Sequence, residues 1–220
     1  MRDRWFGRAV LPRLPGLIAG LVLFGVSVAL MARAGIGMSP WETFHLGISR
    51  MTGIPMGTVS ILLGVPILML WIPLGARPGL GTLLNVLIVG TTTNLVLPQL
   101  PVPNGFPVQL LMFLTGLVSV AIASGMYLSA DLGPGPRDGL FTAIHHRTGW
   151  RIAYVRPVVE GSVVAAGWLL GGTVGVGTIL FVVTIGHLTE WSLGIFDKEG
   201  RVMRKRIAQE AEPIPLEGAA

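Results

Sequence analysis

Four polar side chains stand out in the apolar C-terminal half of the sequence and are the residues best suited to chemistry. Arg156 and Glu160 are four positions apart, and His187 and Glu190 are three apart, so the members of each pair share a helix face. Two carboxylates, a guanidinium and an imidazole at one depth can bind a small polar or cationic solute or exchange a proton. The same residues also suit a structural network in which the charges neutralise one another. Both interpretations stay open at this stage.

A second group of polar residues is weaker evidence for a site. It consists of Glu42, His45, Asn85, Asn94 and Asp138. Asparagines in membrane helices more often form hydrogen bonds between helices than bind ligands. The sequence lacks a P-loop, a nucleophile elbow and a metalloprotease helix, so no enzyme is expected. We also expect no metal and no cofactor.

The composition places these residues in a membrane protein. Of the 220 residues, 51% are hydrophobic and only 12% are charged, whereas about a quarter of the residues are charged in a soluble domain. Residues 78–130 contain no Asp, Glu, Lys or Arg. The net charge of +5 does not indicate nucleic-acid binding, because the basic residues lie at the ends of apolar segments. The absence of cysteine excludes disulfides and thiolate metal sites.

Six apolar runs have the length of membrane-spanning helices, and glycine and proline lie at most of their ends. They are Leu14–Ala34, Thr58–Leu74, Gly79–Leu97, Leu110–Leu128, Ala153–Leu170 and Gly175–Ile195. Six spans put both termini on one side of the membrane. That side would carry 14 of the 16 Lys and Arg residues, with only Arg33 and Arg50 opposite. This bias predicts that both termini are cytoplasmic.

The sequence repeats itself at an offset of 96 residues. Residues 37–53 read GMSPWETFHLGISRMTG and residues 133–149 read GPGPRDGLFTAIHHRTG, and further matches extend without a gap into the later spans. Because each copy contains three spans, the two copies insert with opposite orientation. The sequence therefore predicts an all-α membrane protein with six transmembrane helices arranged as two inverted three-helix repeats.

Each repeat also contains a short helix, at residues 40–52 and 136–148. Ser39, Pro40 and Glu42 form a helix start with a capping box, and Gly53 suits the residue that follows the helix end. A helix of this length spans roughly 18 Å, which is short of a hydrocarbon core of roughly 30 Å. Two placements are compatible with it. One is an interfacial helix with an apolar stripe through Trp41, which the charged residues favour, and the other is a re-entrant helix.

The predicted organisation has five parts. They are a basic cytoplasmic arm (1–13), repeat 1 (14–97), an extracytoplasmic turn (98–109), repeat 2 (110–196) and a basic, then disordered, cytoplasmic tail (197–220). The basic residues of the tail are expected to contact anionic lipids of the inner leaflet. They are Lys198, Arg201, Arg204, Lys205 and Arg206. Pairs of small residues four positions apart suit close helix packing and, less specifically, a homodimer.

Three stretches resemble the YczE/YyaS/YitT family of bacterial membrane proteins. They are Pro40-Trp41-Glu42, the segment Thr52-Gly53 followed by Gly57-Thr58-Val59, and the run from Trp71 to Thr82, WIPLGARPGLGT. The resemblance covers about residues 14–197 and implies a multi-span protein of the bacterial inner membrane. It supplies no catalytic residues.

Two functions from different classes fit these observations. The first is a small-solute transporter or uptake component, because many secondary transporters are built from inverted repeats around a midplane site. The alternative is a scaffold or regulatory subunit that binds another membrane protein or lipid. A polar cavity that contains Glu160, His187 and Glu190 favours the transporter, and a sealed centre favours the scaffold.

Overall fold

The computed structural model describes residues 10–76, 78–198, 200 and 202, apart from the side chains of residues 152 and 153. This part of the chain is helical and contains no strand. Eight α-helices follow one another along it. They are α1 (Leu14–Ala34), α2 (Pro40–Thr52), α3 (Met56–Trp71), α4 (Leu80–Val96), α5 (Phe106–Ser129), α6 (Pro136–Thr148), α7 (Ile152–Leu169) and α8 (Val176–Phe196).

Proline and glycine mark the ends of these helices, as the sequence predicted. The bounds of α1, α2 and α6 agree with the prediction, and the bounds of the other five helices differ from it by four residues at most. Gly53 and Gly149 end the two short helices in the left-handed conformation, with φ of 72° and 71°. This backbone conformation favours glycine because other residues have a Cβ atom that is crowded there.

Four helical segments within the described ranges are long and apolar enough to cross a membrane. They are Leu11–Ala34, Leu80–Gln99, Phe106–Ser129 and Val176–Phe196. The pair α2 and α3, bent by 114°, adds a fifth if it forms one broken span. Helix α3 has only 16 residues, and α7 contains Arg156, Pro157 and Glu160, which lower its hydropathy. The fold is thus an all-helical membrane bundle with four or five candidate spans, and the count of six stays a prediction.

Helices α1 and α5 pack along each other in the core of the bundle. Small residues permit the close approach, since a Cβ atom on Gly20 or Gly116 would collide with the facing helix. Large apolar side chains fill the space on either side, among them Leu17, Leu21 and Phe113, all fully buried. This pair forms the central support against which α4 and α8 pack.

The two halves of the chain exchange hydrogen bonds at corresponding positions. The backbone N–H of Gly81 donates to the carbonyl oxygen of Leu132 at 3.0 Å. The matching donor 96 residues later, Gly177, bonds at 2.9 Å to Ile36, which itself precedes Leu132 by 96 residues. The start of α4 is therefore fixed to the end of α5, and the start of α8 is fixed to the end of α1.

The outer helices of the two halves are arranged differently. Helix α3 packs along α4, with Gly57 and Gly90 in direct backbone contact. Helix α7 makes hardly any contact with α8 in the described residues and packs on α2 instead. Gly186 corresponds to Gly90, and no described residue outside its own helix lies within 4 Å of the place that a Cβ would occupy. A gap therefore separates α7 from α8.

Candidate functional site

The two short helices enter the bundle with their N-terminal ends. In α2 most residues between Pro40 and Gly47 are buried, whereas the last three residues, 50–52, are exposed. In α6 the buried residues begin at Pro136, and the last three residues are exposed. Trp41, which the interfacial placement put on an apolar stripe, is buried within the protein. The N-terminal end of each short helix is thus more buried than its C-terminal end.

Residues at the starts of α2 and α6 meet in the middle of the bundle. Arg137 donates two hydrogen bonds to the carboxylate of Glu42, one of them at 3.1 Å from Nη1 to Oε2. The Glu42 side chain is only 4% exposed and that of Arg137 is 26% exposed. The guanidinium also lies over the Trp41 ring, 5.5 Å from its centroid. This bidentate pair satisfies a buried carboxylate that would otherwise be strongly destabilising.

A cavity of about 960 Å³ lies beside this ion pair. All eight helices contribute to its wall, and the gap between α7 and α8 forms one side of it. Its apolar lining includes Phe24, Trp71, Phe181 and Ile185. Its polar lining comprises Ser39, His45, Ser60, Asn85, Ser124, Tyr127, Asp131, Arg137, Asp138, Thr142, His146, Arg156, Glu160 and Thr189. The volume and the mixed lining are those of a site for a small molecule.

One corner of the cavity brings together two residues of the second candidate group. Tyr127 donates a hydrogen bond from its hydroxyl to Oδ2 of Asp138 at 3.3 Å. A Cβ atom on Gly135 would lie 3.2 Å from that hydroxyl, 3.5 Å from Asp138 Oδ2 and 3.9 Å from Nδ2 of Asn85. Because glycine has no side chain, three polar groups converge on an open space. We call Asn85, Tyr127, Gly135 and Asp138 the Asp138 corner.

Arg156 and Glu160 form an ion pair along α7, with 3.0 Å between Nε and Oε1. Both residues line the cavity, and the guanidinium also lies over the ring of Phe141, at 5.7 Å. The side chains are 44% and 22% exposed, so solvent screens much of their attraction. This pair forms within one helix and remains reachable from the cavity, and Arg156 also interacts electrostatically with Asp138.

His187 and Glu190 do not join this pair. Both side chains are exposed on α8, and neither lines the cavity. The single four-residue cluster expected from the sequence is therefore not formed, because α7 and α8 do not pack along each other. Within the described residues no three His, Asp or Glu side chains are grouped closely enough to hold a metal ion.

The remaining candidates fall into two environments. Asn94 accepts a hydrogen bond from the backbone N–H of Gly57 and donates one to Thr58, each at 2.8 Å. It joins α3 to α4, which is the role typical of asparagine in membrane helices. His45 is 3% exposed and lines the cavity. Of the residues expected to contact lipid, Arg201, Arg204, Lys205 and Arg206 lie outside the described residues, as do residues 1–9 of the basic arm and Arg77.

Comparison with known proteins places the chain in a family. The model of a family of unknown function, DUF6198, matches residues 11–193. The chain belongs to this family. It is 36% identical over 183 residues to a protein of Haemophilus influenzae described as uncharacterised, covering 81% of this chain and 82% of the relative. No solved structure matches.

Two relatives from Bacillus subtilis confirm the resemblance to the YczE-like family. YczE, described as an uncharacterised membrane protein, is 36% identical over 181 residues, covering 80% of this chain and 82% of the relative. YyaS, also described as uncharacterised, is 25% identical over 183 residues, covering 81% and 91%. Together with the apolar helices, these relatives show that this DUF6198 member is a membrane protein.

Sequence reasoning missed two residues that shape the site of this family member. Arg137 was counted only as a topology signal, and Tyr127 was taken as part of an apolar span. A signal for Arg137 existed, because it corresponds to Trp41 at the offset of 96 and directly precedes Asp138. If both short helices had been placed as re-entrant, residues 41, 42, 137 and 138 would have been expected to meet.

Proposed function

We propose that this protein is a small-solute transporter of the bacterial plasma membrane, with no catalytic step. The observation that carries the proposal is the cavity of about 960 Å³, with charged and hydrogen-bonding groups, in the middle of a membrane bundle. A structural scaffold has no need of such a space, because an unfilled polar interior destabilises a bundle. The polar groups of the cavity can replace the water that a solute loses when it crosses the membrane.

The proposed architecture is two inverted repeats related by an axis between α1 and α5, with both termini in the cytoplasm. The matched hydrogen bonds of Gly81 and Gly177 support it, as does the meeting of Trp41 and Glu42 with Arg137. In transporters of this kind, discontinuous helices end near the midplane and surround the solute. The N-terminal ends of α2 and α6 lie beside the cavity in the same manner.

The different states of the two outer helix pairs support alternating access. Two related halves can adopt the same pair of conformations, and here one half has its outer helices closed and the other has them open. An exchange of these states would close the gap between α7 and α8 and open one between α3 and α4. The solute would then face the opposite side of the membrane.

The absence of cysteine from the chain permits a thiol-labelling test. Ser124→Cys introduces a thiol on the cavity wall, and Ser27→Cys is a matched control. Both serines are buried and donate to the carbonyl oxygen four residues earlier, but only Ser124 lines the cavity. A membrane-impermeant thiol reagent is added to either side of sealed vesicles that contain each variant.

We expect the Ser124→Cys variant to react from both sides and the Ser27→Cys variant to react from neither. Reaction at position 124 from one side only, or from neither, would contradict transport. The side of the faster reaction also tests the predicted orientation, because the cavity is lined by the exposed His146, for which the charge bias predicts a cytoplasmic position.

A second candidate function is favoured by α8. His187 and Glu190 are exposed on this candidate span, where polar groups are costly against lipid. A scaffold or regulatory subunit that binds a second membrane protein through this face would cover them. In that case the double variant His187→Ala/Glu190→Gln would lose a co-purifying membrane protein, and the Ser124→Cys variant would not react from both sides.

A further inference from the structure

We propose that the Asp138 corner binds the ammonium group of an organic amine whose apolar part lies against the aromatic wall of the cavity. This inference rests on the proposed transport function and names the chemical class of its solute. The first observation behind it is which charged side chains of the cavity form salt bridges with each other.

Both arginines of the cavity are already paired with a carboxylate. Arg137 is bound by Glu42 through two hydrogen bonds, and Arg156 is bound by Glu160. Asp138 is different, because its carboxylate accepts a 3.3 Å hydrogen bond from the uncharged hydroxyl of Tyr127 and forms no salt bridge with a described residue. The Arg156 guanidinium interacts electrostatically with both Asp138 and Glu160, so these three groups together carry one formal negative charge. In a partly desolvated cavity this excess charge attracts a cation from the solute.

The geometry of the corner suits a compact donor group. The open space at Gly135 lies within 4 Å of the Tyr127 hydroxyl, the Asp138 carboxylate and the Asn85 amide. An ammonium group has several N–H donors, and the Asp138 carboxylate and the Tyr127 phenol oxygen are acceptors for them. The first turn of α6 carries positive partial charge, which Asp138 offsets, so the corner does not favour an anion.

The rest of the cavity argues for an organic cation over a bare metal ion. The volume of about 960 Å³ is in the range of sites for small organic ligands. Phe24, which packs edge-on against Tyr127 with 6.1 Å between ring centroids, and Trp71 supply apolar surface. Such rings bind the carbon skeleton of an amine and attract its charge.

A buried imidazole provides a second, independent indication of a ligand. His45 is 3% exposed and faces the same cavity, and no described residue forms a hydrogen bond with it. Buried polar groups normally have partners, so the His45 imidazole is available to a second polar group of the solute.

The test measures binding to the purified full-length chain in lipid nanodiscs by calorimetry. The probes are a series of ethyl-, butyl-, benzyl- and phenethylammonium, with 2-phenylethanol and 3-phenylpropionate as neutral and anionic analogues. All titrations are made in sodium chloride and again in potassium chloride. Asp138→Asn removes the carboxylate of the corner, and Glu190→Gln removes one carboxylate from the exposed face of α8, outside the cavity, with the same change in net charge.

We expect at least one amine of the series to bind, more tightly than the alcohol and the carboxylate, and equally in both salts. Asp138→Asn should weaken this binding about 10- to 100-fold, which is the range for a hydrogen bond to a charged group. Glu190→Gln should leave it unchanged. Tyr127→Phe keeps the ring that packs on Phe24 and should weaken binding a few-fold, so it serves if Asp138→Asn does not fold.

Four results would overturn the inference. They are no binding of any amine at millimolar concentration, equal binding of amine and alcohol, equal losses in Asp138→Asn and Glu190→Gln, and binding of sodium alone through Asp138. Calorimetry does not depend on thiol access from two sides. Amine binding together with one-sided reaction of the Ser124→Cys variant would therefore contradict transport but support the amine site. Reaction from both sides without amine binding would support transport but contradict the amine site.

Discussion

The two halves of the molecule contain corresponding outer helices, but these helices pack together only in the first half, where α3 contacts α4. In the first half, Gly57 and Gly90 bring α3 against α4, and Asn94 bonds across the contact. In the second half the positions that match Gly90 and Asn94 are Gly186, which faces open space among the described residues, and Glu190, which is exposed. Corresponding positions of the two halves are therefore in contact in the first half and apart in the second.

The largest expected effect comes from breaking the ion pair between Glu42 and Arg137, which connects the two halves. Arg137→Met leaves the carboxylate of Glu42 buried without its partner, and removing one member of a buried ion pair costs roughly 3–5 kcal/mol. Arg156→Met removes the matching partner of the more exposed Glu160, for which we expect less than about 1 kcal/mol. Thermal unfolding in detergent measures both. Equal losses of stability would show that Arg137 does not join the halves.

Glycine substitutions compare the closed and open helix pairs directly. Gly90→Leu forces a side chain into the backbone of α3, and we expect a destabilisation of about 1–3 kcal/mol. Gly186→Leu, at the corresponding position, projects into open space and should change stability by less than about 0.5 kcal/mol. The same thermal unfolding measurement checks this. If Gly186→Leu is as damaging as Gly90→Leu, then α7 and α8 are packed and the comparison fails.

A smaller effect is expected at the hydrogen bonds of the closed pair. Asn94→Ala removes two interhelical hydrogen bonds, and bonds of this kind contribute on average about 0.6 kcal/mol each in membrane proteins. The matching change in the open pair, Glu190→Ala, breaks no bond to α7 and should have no measurable effect. Chemical unfolding with each variant beside the parent chain resolves the difference. A larger loss for Glu190→Ala would place Glu190 in a contact that the fold does not show.

Local features of this molecule could be predicted from the sequence, and long-range contacts could not. Proline at the first helical position and glycine past the last one defined α2 and α6 to the residue. The Arg156–Glu160 pair followed from a spacing of four on one helix. Arg137 and Glu42 are 95 residues apart, and no local pattern brings them together.

The same reasoning explains the errors. His187 and Glu190 were expected to cluster with Arg156 and Glu160 because the two pairs can lie at one depth, but α7 packs on α2 through Gly47 and Gly167. Tyr127 could not be recognised in the sequence because its value depends on Asp138, which lies in a separate helix, and on the space at Gly135.

Paired cysteines provide the sharpest test of whether the two outer contacts exclude each other. Thr58→Cys/Asn94→Cys replaces two residues of the closed contact whose side chains form a hydrogen bond, with 2.8 Å between Asn94 Nδ2 and Thr58 Oγ1. Tyr154→Cys/Glu190→Cys places cysteines at the corresponding positions of the open pair. Each pair, and a variant with all four cysteines, is oxidised in membranes, and intact-mass spectrometry counts the bridges in each molecule. We predict that both bridges form in the protein population but never in the same molecule. Molecules with both bridges, or a 154–190 bridge that never forms, would contradict alternating closure of the two helix pairs.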